Sequence, residues 1–343
     1  MALRLVTHCS SGFADMFFSS ETGEVHYLGP EDPKWVSLEG LSYPTIAKPF
    51  APSTYNDCFF SFPRGDIVDG TPPGPGLIYH YTSLDTAKLI LESKKLRLSR
   101  FANANDEYER SELWFGVYCS ENDRSPDVAI NVSRELTDRL RTHWCFASFS
   151  TDGGGWSQAA APEIYDSAGW KHPSMWAHYS QRHKKTSDGA SRFPGAVLVF
   201  ERKKLIASAL EAYNERTMIY GNIRYVDEGD SELADSFFVN HEDYLKLGAD
   251  ELSGHLLMQF WRSYYLTKFK GWSYESEARL LINLPHDETC FIPIDTALVE
   301  VMIGDGATED ELEKAGALAD AVGASTGIVR WRNGLPIRVP FER

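Results

Sequence analysis

Residues 270–282 limit the fold and the chemistry of this chain more than any other segment, because charged residues occupy every second position from 275 to 279. Read as a β-strand, the segment directs Glu275, Glu277 and Arg279 to one face, since side chains two apart on a strand point the same way. Apolar residues alternate with these charges at the end of the segment. The pattern therefore predicts a half-buried strand that brings two carboxylates and a guanidinium together. A solvated edge strand with an Arg–Glu pair gives the same alternation.

The composition is typical of a globular chain with a substantial core. The 343 residues, 43% of them hydrophobic, suffice for one large domain or for a catalytic domain with a smaller appendage. No stretch approaches the ~20 apolar residues of a membrane-spanning helix, and polar residues interrupt the N-terminus before a signal-peptide core could form. We therefore expect a cytoplasmic protein with no membrane partner. The five cysteines are scattered and never in Cys-x-x-Cys spacing, which predicts neither a disulfide framework nor a zinc site.

The charge balance is strongly acidic. A formal net charge of −15 repels a polyanion at long range, so the chain as a whole lacks the electrostatic signature of a nucleic-acid binder. Local basic stretches such as residues 182–185 remain. A stretch of this kind lines a groove for an anionic ligand such as a dinucleotide, or it is simply a solvated surface, which is the commoner case.

A Pro/Gly run at residues 71–76 marks a boundary in the chain. Ahead of it, residues 1–72 are rich in aromatic residues and turn formers, with short alternating pieces, and they predict a small β-rich appendage that contacts a partner protein or wraps the main domain. Residues 77–343 follow as the predicted α+β catalytic domain.

Short strands outnumber helices in the main domain and follow no regular βαβ rhythm. This favours an α+β fold with a split mixed β-sheet and flanking helices over a doubly wound fold. Residues 77–81 predict a strand, a capping-box pattern at 82–85 starts a helix, and 144–149 predict the clearest central strand. Residues 109–117 lie on a predicted helix, and the longest predicted helix spans about 250–269.

Three blocks carry the candidate chemistry, and they occur in a fixed order. His80 lies at the end of the first strand, a middle block runs from Ser148 to Tyr179, and the late strand carries Glu275 and Glu277. Taken singly, the histidine and the middle aromatic residues are equally well explained as core residues. Only their conjunction favours a site.

These blocks resemble known families. Residues 79–91, 105–109, 175–179 and 272–279 are similar to a widespread family of bacterial proteins known mostly as a domain of unknown function. The order of a histidine strand, a middle aromatic or serine block and a late glutamate strand resembles the ADP-ribosyltransferase superfamily, whose members cleave NAD. That resemblance implies an ADP-ribosyltransferase-like fold and NAD as a substrate.

The resemblance also implies roles for the charged residues. Breaking the bond between nicotinamide and ribose generates an oxocarbenium-like sugar, which a carboxylate stabilises. By analogy, Glu277 accepts a hydrogen bond from the ribose 2′-hydroxyl and stabilises the cation, while Glu275 orients or activates the acceptor. Arg279 keeps both carboxylates ionised or contacts a phosphate.

The remaining residues would hold the dinucleotide. His80 would bind the adenosine-side ribose or the nicotinamide amide, Tyr81 and Thr82 would flank it, and Ser148 is a weaker hydrogen-bonding candidate. Tyr179 or Trp176 would stack on the nicotinamide ring.

The sequence thus predicts an NAD-consuming enzyme that transfers ADP-ribose to a macromolecule, protein or nucleic acid, or hydrolyses NAD, such as a bacterial toxin or phage-defence effector. A metal-dependent hydrolase or nuclease using His80, Asp106, Glu109 and His178 is one alternative, although no metal-ligand motif supports it and we expect no metal. A non-catalytic ligand sensor or partner-binding module is the other.

Overall fold

The computed structural model describes the backbone of most of the main domain and of short pieces before it. The described residues are 4–8, 15–18, 25–28, 58–61, 63, 67–70, 73–104, 106–119, 125–152, 168–179, 184–185, 191–192, 194–227, 230, 233, 236–333 and 335–341. Within them the strands are β1 (Arg4–His8), β2 (Asp15–Phe18), β3 (Val25–Leu28), β4 (Phe59–Ser61), β5 (Ile67–Gly70), β6 (Leu77–Ser83), β7 (Lys95–Arg97), β8 (Ser99–Arg100), β9 (Gly116–Tyr118), β10 (Trp144–Thr151), β11 (Lys184–Lys185), β12 (Ser191–Arg192), β13 (Gly195–Glu201), β14 (Met218–Asn222), β15 (Arg224–Val226), β16 (Phe238–Asn240), β17 (Thr267–Phe269), β18 (Glu277–Asn283), β19 (Phe291–Pro293), β20 (Leu298–Gly304), β21 (Ser325–Arg332) and β22 (Leu335–Pro340).

Helices surround these strands. Three single-turn or two-turn 3-10 helices, Phe101–Asn103, Gly169–Lys171 and Lys270–Glu275, connect elements near the middle of the sheet. Among the described residues the α-helices are α1 (Leu84–Ser93), α2 (Glu107–Arg110), α3 (Pro126–Arg141), α4 (Pro173–Tyr179), α5 (Arg202–Ala212), α6 (His241–Tyr265) and α7 (Glu309–Ala321).

One large mixed sheet organises the described part of the chain. Ten of its eleven strands run in the order β22-β21-β20-β13-β6-β10-β18-β14-β4-β5, and the eleventh, β8, pairs with β10 outside this order. Strands β20 and β21 are parallel, and their neighbours in the sheet pair antiparallel. The predicted α+β class with a large mixed sheet and flanking helices is confirmed. Strands β4 and β5, which precede the Pro/Gly run, pair at one edge of this sheet through β14.

The rest of the predicted N-terminal appendage is described only in part. Strands β1, β2 and β3 form a separate three-stranded antiparallel sheet. Other residues of the range 1–72, apart from those in β4 and β5 and two single positions, lie outside the described residues.

The sheet buries a different set of helices on each face. On one face α1, α5 and α7 pack over the centre of the sheet in a single apolar cluster. The other face carries two separate clusters, one formed with α3 and α6 over β10, β14 and β18, and one formed with α4 over β6, β13 and β20. Residues 195–200 of β13 are all buried, as expected for a strand covered on both faces. The boundary between the two clusters of the second face falls where β6 meets β10.

Strand β10 leaves a gap along the edge that it shares with β6. It pairs with β18 over seven residues, but with β6 only at Ser150 and Thr151. The short strand β8 pairs at Cys145 and Phe146 of the same strand. Residues 147–149 therefore have neither strand beside them on this edge, and the sheet opens there.

Helix ends differ in detail from the sequence patterns. Helix α1 begins one residue later than the predicted capping box, because Ser83 is the N-cap and accepts a hydrogen bond from the amide of Thr86 at 3.2 Å. The helix predicted over residues 109–117 is wrong: α2 ends at Arg110, and Gly116–Tyr118 forms β9, which pairs in parallel with β16. That partner is more than 100 residues away, so the local pattern carries no sign of it.

The longest helix also ends earlier than predicted. Helix α6 stops at Tyr265, and residues 267–269 form β17, which pairs in parallel with β15. Near its start, Gly248 has a φ of 74° and interrupts the helical geometry, so the regular part begins about where the apolar pattern does. None of the described helices has the length and apolar character to span a membrane.

Candidate functional site

A cavity of about 260 Å³ lies at the gap between β6 and β10. Residues from β6, β10, α4, β17 and β18 meet around it. Of the nine residues that the sequence predicts for the site, seven line this cavity: His80, Tyr81, Ser148, Tyr179, Glu275, Glu277 and Arg279. The structure thus brings the early imidazole and the late carboxylates to the same space, while Thr82 and Trp176 lie outside its lining.

Glu277 is the most heavily hydrogen-bonded carboxylate of the cavity. It begins β18 opposite Ser150, and its side chain is only 3% exposed. One carboxylate oxygen, Oε1, accepts hydrogen bonds from Ser148 Oγ and Arg279 Nε, both at 2.5 Å. The other, Oε2, lies 2.8 Å from Lys268 Nζ and 3.2 Å from Arg279 Nη2. A carboxylate offers about four acceptor positions, so those of Glu277 are filled.

Glu275 reaches the cavity by a route that strand alternation does not describe. The 3-10 helix Lys270–Glu275 ends on it, and Ser276 takes a left-handed conformation with φ 45° before β18 begins. Ser150 Oγ donates to the backbone carbonyl of Glu275 at 2.8 Å, which ties this turn to β10. The prediction that residues 270–275 continue the strand is therefore wrong, although the two carboxylates still converge.

Lys268 joins the two carboxylates. Its Nζ lies 2.8 Å from Glu275 Oε2 and 2.8 Å from Glu277 Oε2, and the side chain is 6% exposed. Tyr179 donates its hydroxyl hydrogen to the other oxygen of Glu275. The ammonium also lies 5.3 Å from the centre of the Trp272 ring. Lys268 therefore fixes the separation of the carboxylates, with Tyr179 orienting the first of them.

Arg279 extends the network on the far side of Glu277. It is 1% exposed, and its Nη2 lies 2.5 Å from Glu109 Oε1. Its Nη1 donates to the carbonyl of Tyr265 at 3.3 Å, and its guanidinium stands 5.2 Å from the centre of the Phe146 ring. Three carboxyl groups and two cations thus form one buried chain of contacts.

The two carboxylates of the pair differ in acidity. Burial alone would raise the pKa of Glu277, but the charges of Arg279 and Lys268, with their hydrogen bonds, hold it well below its ordinary value. Burial and the negative charge of Glu277 raise the pKa of Glu275, against the opposing effect of Lys268 and Tyr179. One carboxyl is therefore kept ionised and its neighbour is made more basic.

Burial and neighbouring charges also shift the pKa values of the remaining charged groups. Burial lowers the pKa of Lys268, but Glu277 and the other carboxylates outweigh it and raise the pKa above its ordinary value. Burial raises the pKa of Glu109, although Arg279 offsets part of that rise. Both cations of the network consequently stay charged at any ordinary pH.

His80 lies on β6, across the gap from β10, and is half-buried. Its Nδ1 is 3.0 Å from the carbonyl oxygen of Ser148. Because a carbonyl only accepts, Nδ1 carries the proton and Nε2 is left as an acceptor in the neutral ring. Burial lowers the pKa of His80, which favours that neutral form, although the hydrogen bond to Ser148 acts in the other direction.

Some of the aromatic residues line the cavity, and others pack behind those that do. Tyr81 donates its hydroxyl hydrogen to the carbonyl of Gly169 at 2.8 Å and packs edge-on against Trp176, with ring centres 5.5 Å apart. The indole of Trp176 donates to the carbonyl of Trp170 at 2.8 Å, so this tryptophan is a core residue behind Tyr81. Of the two aromatic residues proposed to stack on a ligand, Tyr179 is the one at the cavity.

Two members of the network carry no recognisable signal in the sequence. Lys268 falls at the predicted end of the long helix, where a cation is ordinary. Its role depends on the pairing of β17 with β15, which the local sequence does not reveal. Glu109 appears in the sequence only as one of several potential metal ligands, and its contact with Arg279 joins residues far apart in the chain.

The alternative metal site is not assembled. Of its four residues, His80 and Glu109 line the cavity, whereas Asp106 and His178 do not. The His178 ring lies 5.8 Å from the Tyr274 ring instead. Within the described residues, no group of three or more His, Cys, Asp or Glu side chains is arranged to hold a metal ion.

Comparison with known proteins addresses part of this site. Residues 175–280 match a family described as a protein of unknown function (DUF2971). The predicted similarity to a domain of unknown function is thereby confirmed for this stretch. The DUF2971 match includes Tyr179, Lys268, Glu277 and Arg279, whereas His80 and Ser148 precede it. No curated protein matches the chain.

Proposed function

We propose that this chain cleaves NAD at the bond between nicotinamide and ribose and passes ADP-ribose to a macromolecule or to water. The observation that supports this best is the buried carboxylate pair with opposite pKa shifts, which lines the same cavity as the imidazole of His80 at the gap in the sheet. A sheet that opens beside the histidine strand is also what the resemblance to ADP-ribosyltransferases leads us to expect.

The opposite pKa shifts suit the two carboxylates to different roles in the reaction. When neighbouring titratable groups have environments that push their pKa values apart, each is suited to a different step. Glu277, which stays ionised, would stabilise the positive charge that develops on the ribose as nicotinamide leaves. Glu275, the more basic group, would take the proton from the attacking acceptor hydroxyl or water.

The hydrogen bonds of Glu277 indicate how the sugar would enter. Its acceptor positions are occupied by two cations and by the hydroxyl of Ser148. The neutral hydroxyl is the weakest of these partners, since hydrogen bonds to charged donors are about twice as strong. The ribose 2′-hydroxyl would therefore replace Ser148 at Glu277 and leave both ion pairs in place. His80, through Nε2, would accept a hydrogen bond from the ribose or from the nicotinamide amide.

A direct test is the release of nicotinamide from NAD by the purified chain at a series of pH values. We expect the chain to release nicotinamide. The kcat/KM of this reaction should rise with pH as Glu275 ionises, because only the carboxylate form accepts a proton. In Tyr179→Phe the ring is kept but the hydrogen bond that lowers the Glu275 pKa is lost. The acid limb of the profile should therefore move to higher pH.

The outcomes of this test separate the candidate functions. A limb that stays in place or moves to lower pH in Tyr179→Phe would remove Glu275 from the base role. Binding of NAD without release of nicotinamide would indicate a ligand sensor, and activity that requires a divalent metal would indicate the metal-dependent hydrolase. Growth arrest with loss of cellular NAD on expression would support a toxin or defence role.

A further inference from the structure

The mouth of the cavity is chemically unlike its interior. Inside lie the carboxylates and their bound cations, all buried. At the mouth the lining includes Arg97, Ser99 and Asn103, each of them exposed. These three residues come from β7, β8 and the 3-10 helix that follows, a short continuous stretch after α1. None of these three residues takes part in the proposed reaction.

Arg97 differs from the other cations near the site. Lys268 and Arg279 are each held by carboxylates. Arg100 is occupied with the backbone, donating to the carbonyls of Thr142 and Leu284 at 3.0 and 3.1 Å and to two further carbonyls. Within the described part of the chain, Arg97 has no carboxylate partner. Its guanidinium is therefore available to an anion at the cavity mouth.

The two ends of the cavity favour opposite charges on a ligand. The carboxylate pair inside favours a positive charge, whereas Arg97 favours a negative one at the mouth. NAD has this polarity, with a cationic nicotinamide ring on one ribose and a diphosphate on the other side of that ribose. The cavity of about 260 Å³ is also smaller than the ~300–1,000 Å³ that usually encloses a whole ligand of this kind. The nicotinamide riboside half would fill the interior, and the diphosphate would lie at the mouth.

We infer that Arg97, with Ser99 and Asn103 beside it, forms a diphosphate-binding subsite that sets the orientation of the dinucleotide. The planar guanidinium suits bidentate hydrogen bonding to phosphate oxygens, and the hydroxyl and amide add neutral donors. This inference rests on the proposed function for the identity of the ligand. The subsite itself makes a separate prediction, that an isolated diphosphate binds through Arg97.

The experiment compares Arg97→Gln with Lys95→Gln. Lys95 lies two residues earlier on β7, is also exposed, and does not line the cavity, so its substitution removes the same charge from the same strand face. We expect Arg97→Gln to weaken binding of ADP-ribose and of inorganic pyrophosphate about tenfold, the effect of losing one charge-assisted contact. KM for NAD should rise by a similar factor with kcat little changed. Lys95→Gln should resemble the wild type, and nicotinamide riboside, which has no phosphate, should be used equally by all three proteins.

Each result bears on a separate claim. Equal weakening by both substitutions would indicate a general effect of charge and would overturn the subsite, as would pyrophosphate binding unaffected by Arg97→Gln. If NAD is cleaved with the same KM in both variants, the subsite is wrong and the proposed function stands. If ADP-ribose binds in an Arg97-dependent manner but NAD is not cleaved, the subsite stands and the proposed reaction is wrong.

Discussion

Substitution of Glu277 by glutamine is expected to slow nicotinamide release from NAD by about 10²–10³-fold, the usual effect of removing one preorganised electrostatic group from a transition state. The amide keeps the shape of the side chain but cannot oppose the positive charge on the ribose. The fold should survive, because Arg279 still contacts Glu109 and Lys268 still contacts Glu275. The rate is measured as free nicotinamide, and the fold by circular dichroism and thermal unfolding.

A matched control is available elsewhere on the sheet. Glu300 on β20 also pairs with an arginine, Arg338, at 2.6 Å, but it does not line the cavity. Glu300→Gln should therefore leave the rate of nicotinamide release unchanged. If Glu277→Gln and Glu300→Gln release nicotinamide as fast as the wild type, Glu277 does not stabilise the ribose cation.

The second large effect is on stability. Arg279→Met should lower the free energy of unfolding by about 3–5 kcal/mol, because it leaves the buried carboxylate of Glu109 without its ion-pair partner. Glu109 would lose the guanidinium that lies 2.5 Å from it, whereas Glu277 would retain Lys268. Adding Glu109→Gln to Arg279→Met should restore part of the loss, giving a non-additive double-mutant cycle by urea denaturation.

The loss of stability in Arg279→Met should also depend on pH in a defined direction. In the wild type, the lowered pKa of Glu277 stabilises the fold at pH values above 4.5, the ordinary pKa of the group. This contribution is lost as the pH falls towards the lower pKa that the group has in the folded protein. Arg279→Met removes much of that depression, so the difference between the two proteins should be largest near neutral pH and shrink in acid. The exposed pair provides the comparison: Arg338→Met should cost only ~0–1 kcal/mol. A similar cost for both arginines would mean that the buried network does not stabilise the fold.

Much of the fold follows from local sequence patterns. The buried alternation of residues 144–149 and the apolar run in residues 196–200 predict central strands, and the structure has β10 and β13 there. The acidic start of α7 includes a full capping box between Thr308 and Glu311, and this pattern of residues is a local signal for the start of a helix. The failures involve β9 and β17, short parallel strands whose partners lie far away in sequence.

In the site, too, local patterns predict some residues, whereas others depend on contacts between distant parts of the chain. Glu277 and Arg279 are two residues apart on β18, so strand alternation predicts that they lie on the same side. Glu275 is placed there by a 3-10 turn and by the left-handed conformation of Ser276. Hydrogen bonds from β10 hold this turn, and the local sequence does not predict them. Lys268 could not be predicted, because its contact with both carboxylates exists only once β17 has paired with β15.

The most direct test of the account is a structure of Glu277→Gln with NAD bound. We expect the nicotinamide riboside inside the cavity between His80 and residue 277, with a ribose hydroxyl in place of the Ser148 contact. The diphosphate should lie beside Arg97. A dinucleotide bound anywhere else on the chain, or a cavity that stays without NAD at saturating concentration, would contradict the claim that this gap in the sheet is a site for NAD cleavage.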